Sequence, residues 1–114
     1  MCGFTGSISF KVINDNALQK SNLHSLCRGP DNSTNIKGNY DINYNFWFNR
    51  LAIVDLSEKA NQPMVSNYSD SIIMFNGEIY NSKSLRDKIS ETNYEFKTSH
   101  SDTETLFAGL ETYG

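Results

Sequence analysis

Tyr40-Asp41-Ile42-Asn43-Tyr44-Asn45-Phe46-Trp47-Phe48-Asn49-Arg50-Leu51-Ala52-Ile53-Val54-Asp55 is the stretch that decides the fold. Tyr40, Ile42, Tyr44, Phe46 and Phe48 alternate with Asp and Asn, the period-2 pattern of half-buried strand, and residues 50–55 read as its extended continuation, with room for two strands. Upstream, residues 4–10 alternate apolar with small side chains, which predicts a strand with residue 2 at its head. Between the two, Ala17, Leu18, Leu23 and Leu26 recur near helical spacing over residues 14–26. Arg28-Gly29-Pro30-Asp31 stops that helix in a turn, and a polar loop is expected through Lys37.

Downstream, Asn61-Gln62-Pro63-Met64 reads as a turn or irregular segment. Residues 71–75 form a short β-rich run broken at Asn76-Gly77. A helix is expected over residues 80–89 and a short strand over 94–97. Ser101-Asp102-Thr103-Glu104 opens a last helix as a capping box. The order strand, helix, several strands, helix, helix suits an α+β domain better than a βαβ repeat. With 114 residues the chain fits one domain, residues 1–114. Its last helix carries an apolar face of Leu106, Phe107 and Leu110 that needs covering, so a marginal fold or self-association is expected of the chain by itself.

A formal charge of −3 with 20% charged residues offers no basic stripe for phosphate contacts, which argues against nucleic acid as a partner. No apolar run approaches the roughly 18–20 residues of a membrane helix, and no basic segment followed by an apolar stretch opens the chain. A cytoplasmic location without membrane contact is the expectation. Cys2, Cys27, His24 and His100 match no metal-ligand spacing and no disulfide framework, so neither metal nor disulfide is expected. The sequons at Asn32 and Asn67 read as loop composition. His24, His100 and Cys27 receive no role.

Four features could carry chemistry. Removal of Met1 would leave Cys2 with a thiol and a free α-amino group, a nucleophile and base on one residue. A thiol titrates near about 8.5 and an α-amino group near about 7.7–8.0, so the amine can take the thiol proton at little cost. The alternative is an incidental cysteine. Asn76-Gly77 is either a tight hairpin turn or a carboxamide beside an unhindered N–H, the parts of an oxyanion hole. Arg50, in an otherwise apolar run, is either a strand-edge residue with a snorkelling stem or a bidentate carboxylate clamp. Asp102 either complements the helix dipole or pairs with an ammonium group.

The segments Met1-Cys2-Gly3-Phe4-Thr5-Gly6, Arg28-Gly29-Pro30-Asp31, Arg50-Leu51-Ala52-Ile53-Val54-Asp55-Leu56-Ser57, Gln62-Pro63-Met64, Phe75-Asn76-Gly77-Glu78-Ile79-Tyr80-Asn81 and Ser101-Asp102-Thr103-Glu104, in this order, resemble the glutaminase domain of glutamine-hydrolysing asparagine synthetases, which are class II amidotransferases. The likeness runs from Cys2 to Gly114. It implies an N-terminal-nucleophile αββα sandwich of two antiparallel sheets, here C-terminally truncated. It also implies that Cys2 attacks L-glutamine, Arg50 holds the α-carboxylate, and Asp102 and Glu78 receive the α-amino group. The backbone at Leu51, Ile53 and Val54 would line the pocket, and Asn76 with the Gly77 N–H would form the oxyanion hole. Ammonia would pass to a synthetase domain or subunit, with aspartate as acceptor. ATP and magnesium belong to that synthetase part, and this half-reaction needs no cofactor.

The sequence departs from the family pattern in three respects. Cys27 stands where a histidine usually precedes Arg-Gly-Pro-Asp; the chain retains Met1; and the family's domain extends past residue 114. The last of these admits a second reading, a non-catalytic remnant or partner-binding fragment of an amidotransferase.

Overall fold

The computed structural model describes residues 2–114 and divides into two compact units, Met1–Ala52 and Ile53–Gly114. Met1, whose removal the nucleophile reading requires, lies outside the described residues. Together the units hold two antiparallel sheets and three α-helices, the α+β class expected.

The first unit is built on β1 (Gly3–Ser9), α1 (Asp15–Ser25), β2 (Asn32–Asn39) and β3 (Asn43–Arg50). The sheet order is β1-β3-β2, with β3 central and antiparallel to both neighbours. Register runs from Gly3↔Asn49 to Ser9↔Asn43 on one side and from Asn32↔Arg50 to Asn39↔Asn43 on the other. Since directly opposed residues share a face, one face gathers Phe4, Ile8, Phe46, Phe48 and Ile36. The other gathers Gly3, Thr5, Asn45 and Asn49.

Helix α1 sits over the polar face. Asn49 Nδ2 donates to Asn22 Oδ1 at 2.7 Å and to Ser25 Oγ, and Asn45 Nδ2 donates to Asp15 Oδ1 at 2.7 Å. The helix starts where Asn14 Oδ1 accepts from the Ala17 N–H at 3.1 Å, an N-cap satisfying an otherwise orphaned donor. Leu18 and Asn22 are its buried residues, whereas Leu23, expected on the apolar face, is 60% exposed.

Two sequence expectations fail in this unit. Residues 32–37, expected as loop, belong to β2. The strand is almost entirely polar because it lies at a sheet edge, and alternate residues face solvent. Its Asn35 Nδ2 reaches Asn45 Oδ1 at 2.6 Å and the Phe46 carbonyl at 2.9 Å. Conversely, β3 is one strand, not two, and ends at Arg50. Ile53 and Val54 are each 70% exposed and pair in no ladder.

The second unit contains β4 (Met64–Val65) paired antiparallel with β5 (Ile72–Ile73), then α2 (Ser82–Ser90) and α3 (Asp102–Tyr113). The two helices pack on each other, and Ile89, Phe107 and Ala108 are buried. Leu110, from the apolar face expected to need cover, is 54% exposed. The peptide between Gln62 and Pro63 is cis.

The expected strand over residues 94–97 is absent, because side chains take its donors. Glu104 Oε1 accepts from the Lys97 N–H at 2.6 Å, Glu104 Oε2 from the Thr98 N–H at 2.7 Å, and the Tyr68 hydroxyl from the Glu95 N–H at 3.3 Å. The capping box is consequently half made. Ser101 Oγ accepts from the Glu104 N–H at 3.3 Å, but the Glu104 carboxylate turns to Lys97 and Thr98, and the Ser101 N–H goes to Thr98 Oγ1 at 3.3 Å.

Candidate functional site

In the first unit the Gly3↔Asn49 pairing sets Cys2 beside the end of β3, just before Leu51. The Leu51 N–H points at Cys2 Sγ at 3.4 Å, and Sγ lies 3.7 Å from the Leu51 carbonyl oxygen. Arg28 Nε donates to the Cys2 carbonyl at 3.4 Å. The part-buried sulfur is thus held against the main chain of the residue after Arg50.

Arg50 ends the central strand and is 7% exposed, so the strand-edge snorkelling alternative is set aside. Asp31 fixes the main chain on both sides of it. The Asp31 N–H donates to the Arg50 carbonyl at 3.0 Å, and Asp31 Oδ2 accepts from the Ala52 N–H at 2.8 Å. The glycine of Arg28-Gly29-Pro30-Asp31 permits this approach, since a Cβ on Gly29 would lie 2.0 Å from the Asn49 carbonyl oxygen. The motif's aspartate and glycine therefore serve the segment that carries Arg50 and Leu51, a role not visible from spacing.

In the second unit Asn76-Gly77 is no hairpin turn. Strand β5 ends at Ile73 and pairs backwards with β4, and the chain after Gly77 leads into α2. Asn76, Gly77 and Glu78 are exposed. The segment is anchored at both ends. On one side the buried Gln62 carboxamide grips Phe75: Oε1 accepts from the Phe75 N–H at 2.6 Å, and Nε2 donates to the Phe75 carbonyl at 3.1 Å and to Thr103 Oγ1 at 2.7 Å. On the other, Asp102 Oδ2 accepts from the Ile79 N–H at 2.9 Å. Asp102 is the first residue of α3 and is half-buried.

Behind Asp102 lies a charged network. Arg86 Nη1 donates to the Ser101 carbonyl at 3.3 Å and to Thr105 Oγ1 at 3.1 Å, and Nη2 donates to the Thr98 carbonyl. Its Nη2 is 3.8 Å from Glu104 Oε2, and its guanidinium carbon sits 3.8 Å from the centre of the Phe96 ring. Burial pushes the guanidinium below its ordinary range, with Glu104 opposing the shift. Sequence reasoning missed Arg86 altogether and noted Gln62 and Glu104 only as letters in motifs.

Cys2, Arg50 and Leu51 are thus brought together in one unit, and Asn76, Gly77, Glu78 and Asp102 in the other, where Ile53 and Val54 also fall. Among the described residues no group of three or more His, Cys, Asp or Glu could hold a metal ion, and no helix is long and apolar enough to cross a membrane.

The first unit thus holds a thiol at a strand head with a buried arginine next along the chain from its main-chain partner, and the second holds a carboxamide-glycine pair anchored to the first residue of α3. The sequence matches the glutamine amidotransferase domain family over residues 1–114, and the chain belongs to that family. It is 36% identical over 120 residues, 99% of this chain, to asparagine synthetase [glutamine-hydrolyzing] 1 of Bacillus subtilis (strain 168), and 36% identical over 111 residues, 93% of this chain, to that organism's asparagine synthetase 3. A root asparagine synthetase of Pisum sativum is 42% identical over 65 residues, 57% of this chain and 10% of its own length. The chain spans 18% and 17% of the two Bacillus relatives.

Proposed function

We propose that this domain hydrolyses L-glutamine to glutamate and ammonia through a thioester on Cys2, and that a synthetase domain or subunit uses the ammonia to amidate aspartate. The observation that carries the reading is the seating of Cys2 Sγ on the Leu51 main chain, next to the buried Arg50. Family membership and the asparagine synthetase relatives support glutamine as the substrate.

In this reading Met1 is removed and the Cys2 amine takes the thiol proton. The sulfur then attacks the glutamine carboxamide carbon, forming a C–S bond. Asn76 and the Gly77 N–H stabilise the oxyanion. The protonated amine returns its proton to the departing nitrogen, the C–N bond breaks and ammonia leaves. Water then cleaves the thioester and restores the thiol. Arg50 clamps the substrate's α-carboxylate, while Asp102 and Glu78 take its α-ammonium, so both ends of the amino acid are fixed and the carboxamide is aimed at sulfur. No cofactor enters this half-reaction; ATP and magnesium would serve the synthetase part.

The test is ammonia release from the chain beginning at Cys2. Cys2→Ala should abolish it and Cys2→Ser nearly so, a hydroxyl being the weaker nucleophile at neutral pH. Arg50→Lys should raise KM for glutamine steeply because an ammonium cannot reproduce the two-pronged clamp. Hydrolysis that persists in Cys2→Ala would overturn the proposal, as would a failure of activity to scale with the fraction of chain lacking Met1.

A further inference from the structure

Gln62 belongs to a segment singled out in the sequence, Gln62-Pro63-Met64, to which the mechanism above gives no part. Gln62 is 6% exposed, and its carboxamide makes three hydrogen bonds: one acceptor bond and one donor bond to Phe75, and a second donor bond to Thr103. The reason lies in the β4-β5 ladder. Val65↔Ile72 and Met64↔Ile73 are its two pairs, and continuing that register two places sets Gln62 opposite Phe75. At the position where the ladder would next exchange both main-chain bonds, the Gln62 side-chain amide supplies them instead, with the same pair of groups as a peptide unit.

Phe75 is the residue before Asn76. We infer that Gln62 is a positioning residue for the oxyanion pair, fixing the main chain that presents Asn76 and the Gly77 N–H. The inference rests on the oxyanion role proposed for those two residues. The Thr103 bond extends the hold to the first turn of α3, whose Asp102 anchors Ile79 on the far side of the same segment. Gln62 and Asp102 thus hold a three-residue exposed segment, Asn76-Gly77-Glu78, from opposite ends. Gln62 grips Phe75, directly before the oxyanion pair, whereas Glu78 lies at the end of the segment held by Asp102, so Gln62 should act on turnover and leave binding through Arg50 in place.

The experiment uses the chain beginning at Cys2 and two variants. Gln62→Met keeps the length and removes all three hydrogen bonds; Gln62→Glu keeps the acceptor for the Phe75 N–H but loses both donors. For Gln62→Met, kcat per folded molecule should fall by roughly a hundredfold, the scale of about an ångström of misplacement, with KM for glutamine changed by less than about twofold. Gln62→Glu should recover part of the loss. Hydrogen exchange at the Phe75 amide should quicken in Gln62→Met while exchange in β3 stays slow, a readout independent of activity.

Asn76→Ala separates the two levels of the argument. If Asn76→Ala leaves kcat unchanged, the oxyanion reading itself fails. If Asn76→Ala lowers kcat while Gln62→Met does not, or if the two losses simply multiply in the double variant, Gln62 does not act through Asn76 and the inference is overturned. A double variant no slower than Asn76→Ala alone is the expected result. Equal loss in kcat and gain in KM for both Gln62 variants would also overturn it, marking a general packing role.

Discussion

The two units reach order by different means. In the first, β3 exchanges main-chain bonds with β1 over seven residue pairs and with β2 over eight, and side chains mainly add the polar layer under α1. In the second, the ladder is two pairs long, and Gln62, Arg86, Asp102 and Glu104 each bond directly to main-chain groups of loops. A ladder spreads the satisfaction of backbone donors over many residues. A side-chain anchor concentrates it, so one substitution strands several buried groups at once. Substitutions should accordingly be costlier, residue for residue, in the second unit.

The sharpest test of that contrast is Glu104→Leu. It removes the acceptor for the Lys97 and Thr98 N–H groups and leaves the half-buried Arg86 without its carboxylate. Each buried donor left without an acceptor costs about 1–3 kcal/mol, and urea unfolding should show a loss of that order. Arg86→Met combined with Glu104→Leu should cost less than the sum of the single changes, because no charge then stays uncompensated. A loss below about 1 kcal/mol for Glu104→Leu, the size of an exposed pair, would erase the contrast.

Gly29→Ala probes a place where the first unit depends as heavily on a single residue. The added methyl would meet the Asn49 carbonyl oxygen at 2.0 Å and the Arg50 nitrogen at 2.6 Å, both main-chain atoms of the central strand that cannot swing aside. Overpacking of this kind costs about 1–3 kcal/mol. Because the strained atoms adjoin Arg50, the carboxylate clamp proposed above, KM for glutamine should rise together with the loss of stability. Trp47, the only tryptophan and a β3 residue, reports the unit by fluorescence. Unchanged fluorescence, stability and KM would mean that the turn can move away from β3.

This division also explains what could be read from the sequence. Residues 4–10 and 40–48 announced β1 and β3 because strand pairing imposes a period on the side chains, and the helical spacing of apolar residues over 14–26 announced α1. The pattern failed at β2, where Asn32, Ser33, Asn35 and Lys37 carry no alternation of hydropathy because that edge strand needs none. It failed again at Ile53 and Val54, apolar residues that stay exposed. The candidate site followed the same line. Cys2, Arg50 and the Asn76-Gly77 pair stood out because their chemistry is unusual for their setting. Gln62 and Glu104 act through main-chain atoms up to 13 residues away, and neither composition nor period records such a bond.

At high pH the second unit should yield first. Burial pushes the Tyr94 phenol up to about 12, with the Glu104 and Glu111 carboxylates adding to the shift. The neutral phenol is therefore favoured in the folded chain. Its contribution is complete below the ordinary tyrosine value of 10.0 and is lost as pH rises from there through about 12. Thermal melts across that window should fall less steeply in Tyr94→Phe than in the parent. Equal slopes would show that the ring is wetter than its contacts with Tyr68 and Phe96 suggest.

At low pH the smallest effect belongs to the first unit. Asp15 accepts from Lys37 Nζ at 2.9 Å and from Asn45 Nδ2 at 2.7 Å, and these bonds, that from Lys37 foremost, hold its carboxyl below the usual value. A depressed carboxyl stabilises the fold above its unfolded pKa, near the ordinary 3.8, and that contribution disappears as pH falls through the lower folded value. Both charged partners are exposed, with side chains 62% and 54% accessible, so salt and water screen the pair and its loss should barely register in a melt at neutral pH. Asn45, 4% exposed, is the partner that matters more. Asp15→Ala strands its amide hydrogen, whereas Lys37→Met leaves that bond intact, so Asp15→Ala should be the more destabilising of the two and the more indifferent to added salt. Equal, salt-sensitive losses in both variants would show that α1 is tied to the sheet by the surface charge pair, and that the first unit too relies on a side-chain anchor where the ladder was credited.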